Sequence, residues 1–333
     1  MAHTLISAPG KLFLFGEYAV LAGGQSIVTA TDRRVAATGH ESVLGYGFNG
    51  QHLQDVPALP QHVAQTLNLP PEAASGWSTD AGAFFEGASK LGLGSSAAST
   101  VALTALAHQG ELNTSRVFAD ALTAHFALQG GRGSGADVAA SAFGGTIAYQ
   151  RRTPQAPFDP IDVLPKGDDF AQIQPLEWPE GLRVEALWLG TPAHSVSFIK
   201  QVERAYAQRK QLIESTFDLI HMTTRDAMKC FGPNPSEGLE VLLSNVSIQN
   251  EAMNALGLGS GAPILIDAHR ALMQHVRPFG LVTKPSGAGG GDFSLVFGPS
   301  DADWEGMIES LPIGIKHLGI GLHASGVGSM QDR

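Results

Sequence analysis

The chain has 333 residues, of which 43% are hydrophobic and 16% are charged, and its formal net charge is −10. This composition excludes a disordered chain, and the negative charge disfavours binding to nucleic acid or to an anionic membrane surface, which would need a basic patch. The single cysteine, Cys230, excludes a disulfide within the chain and a cysteine-based zinc site, so we interpret it as an ordinary thiol.

Length predicts about two domains. The first residues lack the basic region and the long apolar run of a signal peptide, and no window approaches the run of about 18 apolar residues that a membrane helix needs. We therefore expect a cytoplasmic enzyme, either a monomer or a homodimer. The sequence contains no internal repeat of 20 to 50 residues, so it does not predict a repeat architecture.

The first half of the chain shows period-two apolar runs, followed by apolar residues at helical spacing. Small residues dominate the first helical segment, which predicts a buried, closely packed helix. In chain order the predicted elements are strands at 4–8 and 12–15 broken by Pro9-Gly10, one or two strands at 26–38, strand and loop at 75–87, a helix from Ser95 to about Gly110, a helix at 115–128, a loop at 130–135, a helix at 136–143 and a strand at 145–149.

Residues 151–180 are rich in proline and acidic residues, and we place a domain boundary there. The second half is predicted to be mainly helical, with strands at its start and end. Its predicted elements are a strand at 183–189, helices at 197–219, 237–256 and 263–275, a loop at 283–288, a strand at 293–297 and a last strand at 315–322.

A glycine-rich segment at 90–98, of sequence KLGLGSSAA, comes just before the first predicted helix. Gly92 and Gly94 would let the backbone approach a ligand closely. Ser95 and Ser96 begin the helix, and the N–H groups at a helix N-terminus suit phosphate. The serine hydroxyls suit a phosphate oxygen or a metal ion, but the same pattern also fits an ordinary serine-capped helix.

Lys11 follows Pro9-Gly10 between two apolar runs. Its ammonium group would either enter a cleft and neutralise transferred charge or be solvated in a turn. Glu17 and Tyr18 would line the same cleft or pack at a strand end. Asp137, after the glycine-rich loop at 130–135, fits either a helix N-cap or a carboxylate that faces Lys11 and an acceptor group.

The segment at 284–292, of sequence KPSGAGGGD, has four glycines within five positions after Ser286. So many glycines are unfavourable inside a helix or a strand. Because apolar runs flank the segment, we expect close approach to a ligand or to the 90–98 loop rather than a linker.

Several other catalytic patterns are absent from the sequence. There is no His-Glu-x-x-His metal motif, no P-loop and no hydrolase nucleophile elbow. The runs Asp292-Phe293-Ser294 and His269-Arg270-Ala271 match protein-kinase motifs only in part.

Taken in order, the segments at 8–18, 90–98 and 284–292 resemble the three signature motifs of the GHMP small-molecule kinases, and the resemblance covers nearly the whole chain. It implies an α/β (α+β) fold. Residues 1–180 would form a domain like ribosomal protein S5 domain 2, and residues 181–333 a ferredoxin-like domain. ATP-dependent phosphoryl transfer in the cleft between them, with ATP and Mg²⁺ as cofactors, is implied.

Within the family, details resemble the phosphomevalonate kinase branch. These are the run at 16–20, Lys90 before the glycine loop, the segment 124–138, the run at 188–195, and Asp292 at the end of the third motif. The run at 188–195 departs from the branch pattern, because Leu189 and His194 replace a threonine and a serine.

The resemblance also implies roles for particular residues. Lys11 and Asp137 would be catalytic, and Ser96 would bind the metal ion. The nucleotide would contact Lys90, Gly92, Leu93, Gly94, Ser95, Ser96 and Ala97. The acceptor, a small anionic molecule, would contact Lys11, Tyr18, Ser134, Gly135, Asp137, His194, Ser195, Ser286, Gly287, Ala288 and Gly289.

The acceptor decides what Asp137 must do. An alcohol acceptor needs a base, whereas a phosphate monoester, with a second pKa near about 6, arrives largely ionised. Its difficulty is repulsion between anions, which Lys11, Lys90, Arg132 and Mg²⁺ would reduce. Asp137 would then orient Lys11 and the substrate hydroxyl. Three alternatives stay open: a mevalonate kinase, a related ATP-dependent decarboxylase, and a kinase-like binding protein without turnover.

Overall fold

The structure is a computed structural model, and it describes residues 5–39, 59–108, 112–152, 158, 170–193 and 195–329. In the first half, runs of strands are followed by a run of three helices, and helices dominate the middle of the second half. The strands are β1 (Leu5–Phe15), β2 (Gln25–Gly39), β3 (Trp77–Asp80), β4 (Phe85–Glu86), β5 (Ser89–Lys90), β6 (Thr146–Arg151), β7 (Ala171–Leu176), β8 (Leu182–Trp188), β9 (Val282–Pro285), β10 (Phe293–Pro299), β11 (Lys316–His317) and β12 (Gly328–Ser329).

The helices pack against the sheets, and helices and strands both contribute to the apolar core. They are α1 (Leu59–Thr66), α2 (Ser95–Ala107), α3 (Thr114–Leu128), α4 (Ala136–Phe143), α5 (Ser195–Gln208), α6 (Lys210–Met228), α7 (Leu239–Ser260), α8 (Asp267–Val276) and α9 (Trp304–Glu309).

Two larger sheets organise the described residues. The first has the strand order β12-β1-β2-β6-β7, with β3 also paired to β2, and the second has the order β11-β8-β10-β9. All of these pairings are antiparallel. The mixed helix and sheet architecture confirms the predicted fold class. Strands before and after residue 180 fall into different sheets except for β12, which returns to the first.

Helix α2 packs against β1 and β2 and is buried on almost every side. Its small side chains allow this close approach, as the sequence predicted. The helix ends at Ala107, and its C-cap is His108. The predicted end near Gly110 lies outside the described residues.

The predicted break at Pro9-Gly10 is wrong, because β1 runs continuously through it. The pairing register with β2 shifts between Pro9 and Lys11, so the sheet absorbs the proline with an irregularity instead of ending. Gly10 has no room for a side chain: a Cβ there would lie 2.8 Å from the carbonyl oxygen of Leu93. At this irregularity, β1 therefore packs closely against the second glycine-rich segment, at Leu93.

Four further predictions differ from the structure. The helix predicted at 197–219 is two helices, α5 and α6, because Arg209 leaves the helical conformation at φ −138°. The helix predicted from 263 begins only at Asp267. Part of the loop predicted at 283–288 is strand β9, and of the last strand at 315–322 only β11 forms.

The chain returns to the first sheet after the second is complete. In β12, Ser329 pairs with Ile6 and Gly328 with Ser7. The Arg34 guanidinium donates to the carbonyl oxygens of Ser325 and Gly326, each at 2.7 Å. These contacts tie the last described residues to the strand that carries Lys11.

A buried polar network joins the two halves. The Lys284 ammonium on β9 donates to the Glu17 carboxylate, and both side chains are almost fully buried, at 0% and 1% exposure. Gln249 on α7 donates to the other Glu17 oxygen at 2.6 Å, and Thr223 on α6 donates to Gln249 at 3.2 Å. Burial raises the pKa of Glu17 and lowers that of Lys284, whereas their attraction opposes both shifts.

We expect Lys284→Met to lower the free energy of unfolding by about 3–5 kcal/mol, because it leaves the Glu17 carboxylate buried without a counter-ion. The double variant Glu17→Gln/Lys284→Met should recover part of that loss. Lys316→Met is the control, since the Lys316–Glu86 pair is roughly half exposed, at 52% and 41%, and should cost under ~1 kcal/mol. Urea unfolding measures all three, and equal losses for Lys284→Met and Lys316→Met would contradict the expectation.

Candidate active site

The turn between β5 and α2 presents backbone rather than side chains to its surroundings. Gly92, Gly94 and Ser96 are partly exposed. The residues between and beside them point into the core, and their relative exposures are low: Leu91 3%, Leu93 0%, Ser95 7% and Ala97 0%. A ligand would therefore meet the backbone of this turn and the Ser96 hydroxyl.

The N-terminus of α2 has no side-chain cap. Its N-cap residue is Gly94, in a left-handed conformation with φ +81°. The alternative of a serine-capped helix is therefore wrong, because Ser95 and Ser96 already lie inside the helix. The first-turn N–H groups lack a side-chain acceptor in a 13-residue helix, which is the arrangement that binds phosphate.

Lys11 lies directly over this turn. Its backbone N–H donates to the Leu93 carbonyl at 2.8 Å. A Cβ built at Gly94 would lie 3.3 Å from Lys11 Cε and 3.9 Å from Asp137 Cβ, so both side chains face the same glycine. The structure thus brings together Lys11, Asp137 and the N-terminus of α2.

The Lys11 ammonium faces charged groups from several elements. Burial lowers the pKa of Lys11, and the carboxylates of Asp137, Asp292 and Glu17 raise it, with Asp137 having the largest of these effects. Lys90 lowers it further. A half-buried cation surrounded in this way is held in place by its neighbours and can stabilise negative charge on a ligand.

The start of α4 sets the position of Asp137. Gly135 is the N-cap at φ +81°, and a Cβ there would lie 2.7 Å from Leu122 Cδ1. The Ser134 hydroxyl accepts from the Ala136 N–H at 3.2 Å. Asp137 is therefore in the first turn and is not the N-cap, so that interpretation is wrong, and its partly exposed carboxylate remains beside Lys11.

Hydrogen bonds attach the third glycine-rich segment to β1 and to the residues that follow it. The Ser286 hydroxyl accepts from the Phe13 N–H at 2.9 Å and donates to the Phe13 carbonyl at 3.0 Å. The Tyr18 hydroxyl donates to the Ala288 carbonyl at 2.7 Å, and burial raises the pKa of this phenol. The resemblance assigns Ser286, Tyr18 and Ala288 to acceptor binding. In the structure they make contacts within the protein, and Ser286 attaches the segment to Phe13, two positions along β1 from Lys11.

The glycines of the third segment serve close packing. A Cβ at Gly289 would collide with the Ile264 carbonyl, one at Gly290 with the Phe198 ring, and one at Gly291 with the Thr191 carbonyl. Gly287 differs, because nothing lies within 4 Å of the Cβ position there. Of the four glycines, Gly287 is therefore the one that leaves space for a ligand.

The remaining predicted residues are placed as follows. Lys90 ends β5 with an exposed side chain. Arg132 forms an ion pair with Glu203 of α5 at 3.1 Å, so it links the loop before α4 to α5. Ser195 is the first residue of α5, and His194 lies outside the described residues.

The sequence alone does not predict the roles of three residues. It shows Lys284 only as the first residue of its segment, leaves two interpretations open for Glu17, and marks Asp292 only as a feature of the branch. The sequence did hold one signal, since Lys284 follows the run Leu281-Val282-Thr283 directly. A lysine in such a run requires a buried counter-ion.

Within the part of the chain that the structure describes, no group of three or more histidine, cysteine or acidic side chains could hold a metal ion. In the same residues, none of the helices has the length and apolar character needed to cross a bilayer.

Comparisons with known proteins point to small-molecule kinases. No family model matches the chain. It is 28% identical to a phosphomevalonate kinase from Streptomyces sp. (strain CL190), covering 89% of this chain and 90% of that one. It is 26% identical to a mevalonate kinase from Archaeoglobus fulgidus, covering 88% and 91%.

A solved structure matches the fold over the whole length. Streptococcus pneumoniae phosphomevalonate kinase in complex with phosphomevalonate and AMPPNP superposes with a TM-score of 0.74 and 18% identity, covering 97% of this chain and 100% of that one. At this identity the likeness establishes the fold.

We expect Gly94→Ala to weaken binding of an ATP analogue about tenfold or more, because the new methyl group lies against Lys11 and narrows the turn. Gly87→Ala is the matched control, since Gly87 also has a positive φ, of +59°, but has nothing within 4 Å of its Cβ position. Calorimetric titration of both variants measures the difference. An equal effect at the two positions would show that backbone strain alone is responsible.

Proposed function

Because the chain is a GHMP kinase most similar to phosphomevalonate kinases, we propose that it transfers the γ-phosphoryl group of ATP to 5-phosphomevalonate, forming 5-diphosphomevalonate on the mevalonate route to isoprenoids. The observation that carries this proposal is the meeting of Lys11, Asp137 and the uncapped N-terminus of α2 at Gly94. A cation, a carboxylate and a phosphate-binding helix end are the groups that this transfer requires.

The turn from Gly92 to Ser96 is the proposed phosphate-binding loop. Its partly exposed backbone and the first-turn N–H groups of α2 would receive the ATP phosphates. Since no acidic cluster among the described residues could hold a metal ion alone, Mg²⁺ would be held by the Ser96 hydroxyl together with phosphate oxygens. It would supply positive charge to those oxygens.

Lys11 is the proposed catalytic cation. It lies beside the loop, and its ammonium can neutralise charge on the phosphoryl group as it moves between two anions. Lys90 adds a second positive charge near Lys11, on an exposed side chain that can reach a phosphorylated acceptor. Such an acceptor matches both cations better than an uncharged alcohol does.

Asp137 is proposed to orient Lys11 and not to act as a general base. A phosphate monoester is already ionised at neutral pH, so its attacking oxygen has no proton to lose. The carboxylate has the largest electrostatic effect among those that keep Lys11 protonated. Its role is then to fix the cation that the reaction needs.

Three alternative functions place different demands on the same residues. A mevalonate kinase would phosphorylate an alcohol and would need Asp137 as a base. A decarboxylase would use ATP to activate a tertiary hydroxyl, and a binding protein without turnover would not need Lys11, Ser96 and Asp137 together. The Streptomyces relative, which matches 89% of the chain, is a phosphomevalonate kinase. This similarity favours phosphomevalonate as the acceptor over the three alternatives.

The wider setting is also part of the proposal. The net charge of −10 and the relatives named as small-molecule kinases support a cytoplasmic enzyme acting on a small anionic substrate, without a nucleic-acid or membrane partner. We propose that it acts as a monomer or a homodimer.

The direct test offers purified protein ATP and Mg²⁺ with either phosphomevalonate or mevalonate, and measures ADP release and product mass. We expect turnover with phosphomevalonate and a kcat/KM at least about a hundredfold lower with mevalonate, because two charge-assisted contacts at ~1.5–3 kcal/mol each are missing. Turnover of mevalonate alone would favour the mevalonate kinase alternative.

We expect Lys11→Ala to lower kcat more than Asp137→Asn does, because the barrier lies in bringing anions together. Lys229→Ala, at a surface lysine paired with Asp226, should leave kcat unchanged. A larger loss for Asp137→Asn would identify that carboxylate as a general base.

The pH profile gives a second measurement on the same groups. The acid limb should follow the second ionisation of the substrate near about 6. Activity requires protonated Lys11 and is lost as the pH rises through the pKa of Lys11. Since burial lowers that pKa below 10.5, the alkaline limb should lie below the range of a free lysine.

A further inference from the structure

Asp292 closes the third glycine-rich segment in a left-handed backbone conformation, with φ +52°. Non-glycine residues adopt this conformation infrequently, and aspartate tolerates it better than most. Two hydrogen bonds hold the residue there: its N–H donates to the Thr191 carbonyl at 2.8 Å, and its carbonyl accepts from the Leu189 N–H at 2.9 Å. A backbone fixed in this way determines where the side chain points.

The Asp292 carboxylate joins two segments that are distant in sequence. One oxygen accepts from the Ala193 N–H at 2.9 Å. The other lies against Gly92, so that a Cβ at Gly92 would collide with it. The carboxylate thus holds the first glycine of the phosphate-binding loop against the segment 191–193.

The second glycine of the same loop receives Lys11. Gly92 therefore accommodates Asp292, and Gly94 accommodates Lys11. Asp292 is one of three carboxylates that face Lys11, with Asp137 from α4 and Glu17 from the segment after β1, and Lys90 from β5 is the opposing cation.

The negative charge at position 292 needs an explanation of its own. A carboxylate beside a loop that receives phosphates repels them, whereas an asparagine would accept the same Ala193 N–H without repulsion. The charge is explained if its partner is Lys11, because a nearby carboxylate keeps a half-buried ammonium protonated and in place.

We propose that Asp292 is a positioning residue that fixes the Gly92 turn against the segment 191–193 and, together with Asp137, holds the Lys11 ammonium over the phosphate-binding loop. The proposal rests on the proposed function, in which Lys11 and the loop serve phosphoryl transfer from ATP. Asp292 acts through Gly92 and Lys11 and does not touch the acceptor.

The charge is tested with Asp292→Asn, which keeps the hydrogen bond to Ala193. Competitive acetylation across a pH series, read by mass spectrometry, gives the apparent pKa of Lys11 in the full chain without any acceptor. We expect it to fall by roughly one unit. The matched control is Asp303→Asn, whose carboxylate likewise accepts a backbone N–H, from Gly306 at 2.9 Å, and which should leave Lys11 unchanged. An unchanged Lys11 in Asp292→Asn would overturn the electrostatic part.

The hydrogen bond is tested by comparing Asp292→Ala with Asp292→Asn in calorimetric binding of AMPPNP with Mg²⁺. We expect Asn to bind the analogue at least as tightly as the unmodified chain, because repulsion is removed, and Ala to bind it about tenfold more weakly, because the turn is released. Equal affinity of the Ala variant and the unmodified chain would overturn the positioning of the loop. Neither measurement uses phosphomevalonate, so failure of the acceptor assignment would be seen separately, in the turnover assay.

Discussion

The buried ion pair between Lys284 and Glu17 is the constraint on which the site depends. Glu17 follows the strand that carries Lys11, and Lys284 begins the third glycine-rich segment, so this buried contact joins two of the three motifs. Gln249 extends it to α7, and Thr223 to α6. Two buried charges tolerate little displacement from each other. The pair therefore fixes the first and third glycine-rich segments relative to each other without a ligand.

The absence of side chains at a few glycines lets the motifs interlock. Gly10 admits the Leu93 carbonyl, Gly92 admits Asp292, and Gly94 admits Lys11. Each contact joins residues from different motifs. A methyl group would collide with the neighbour at Gly10 and Gly92 and would crowd Lys11 at Gly94. The glycine-rich segments therefore contact one another in addition to forming the proposed phosphate-binding surface. This explains the glycines at buried positions such as Gly289 and Gly290, which pack against Ile264 and Phe198.

The sequence predicted much of this architecture and part of the site. The glycine turn followed by a buried small-residue helix, and the short helix that carries Asp137, are where spacing and composition placed them. The predictions for Pro9 and for Arg209 failed for a common reason. From local propensity alone, a proline predicts a break in a strand, and a polar residue such as Arg209 does not predict the end of a helix. In the structure, β1 continues through Pro9 because it pairs with β2. The helical stretch is interrupted at Arg209, between α5 and α6.

Contacts between residues far apart in sequence were beyond prediction. The carboxylate that Lys284 meets lies 267 residues away, and the glycine that Asp292 packs on lies in another motif. A pattern in one segment states that a partner is needed but not which residue supplies it. In the same way, no pattern in the sequence predicts that the hydroxyls of Tyr18 and Ser286, which the resemblance assigns to acceptor binding, hydrogen-bond to Ala288 and Phe13.

The pairing of β12 with β1 has a consequence for how the protein forms. During synthesis, the strand that carries Lys11 leaves the ribosome some three hundred residues before Gly328–Ser329, its partner on one side. That edge of β1 stays open while some three hundred residues are added, and an open edge can pair with another chain. Completion of the first sheet is therefore a late, non-local step, and such steps are slow. A chain that has not yet been extended to residue 328 therefore leaves this edge of β1 open to pairing with other chains.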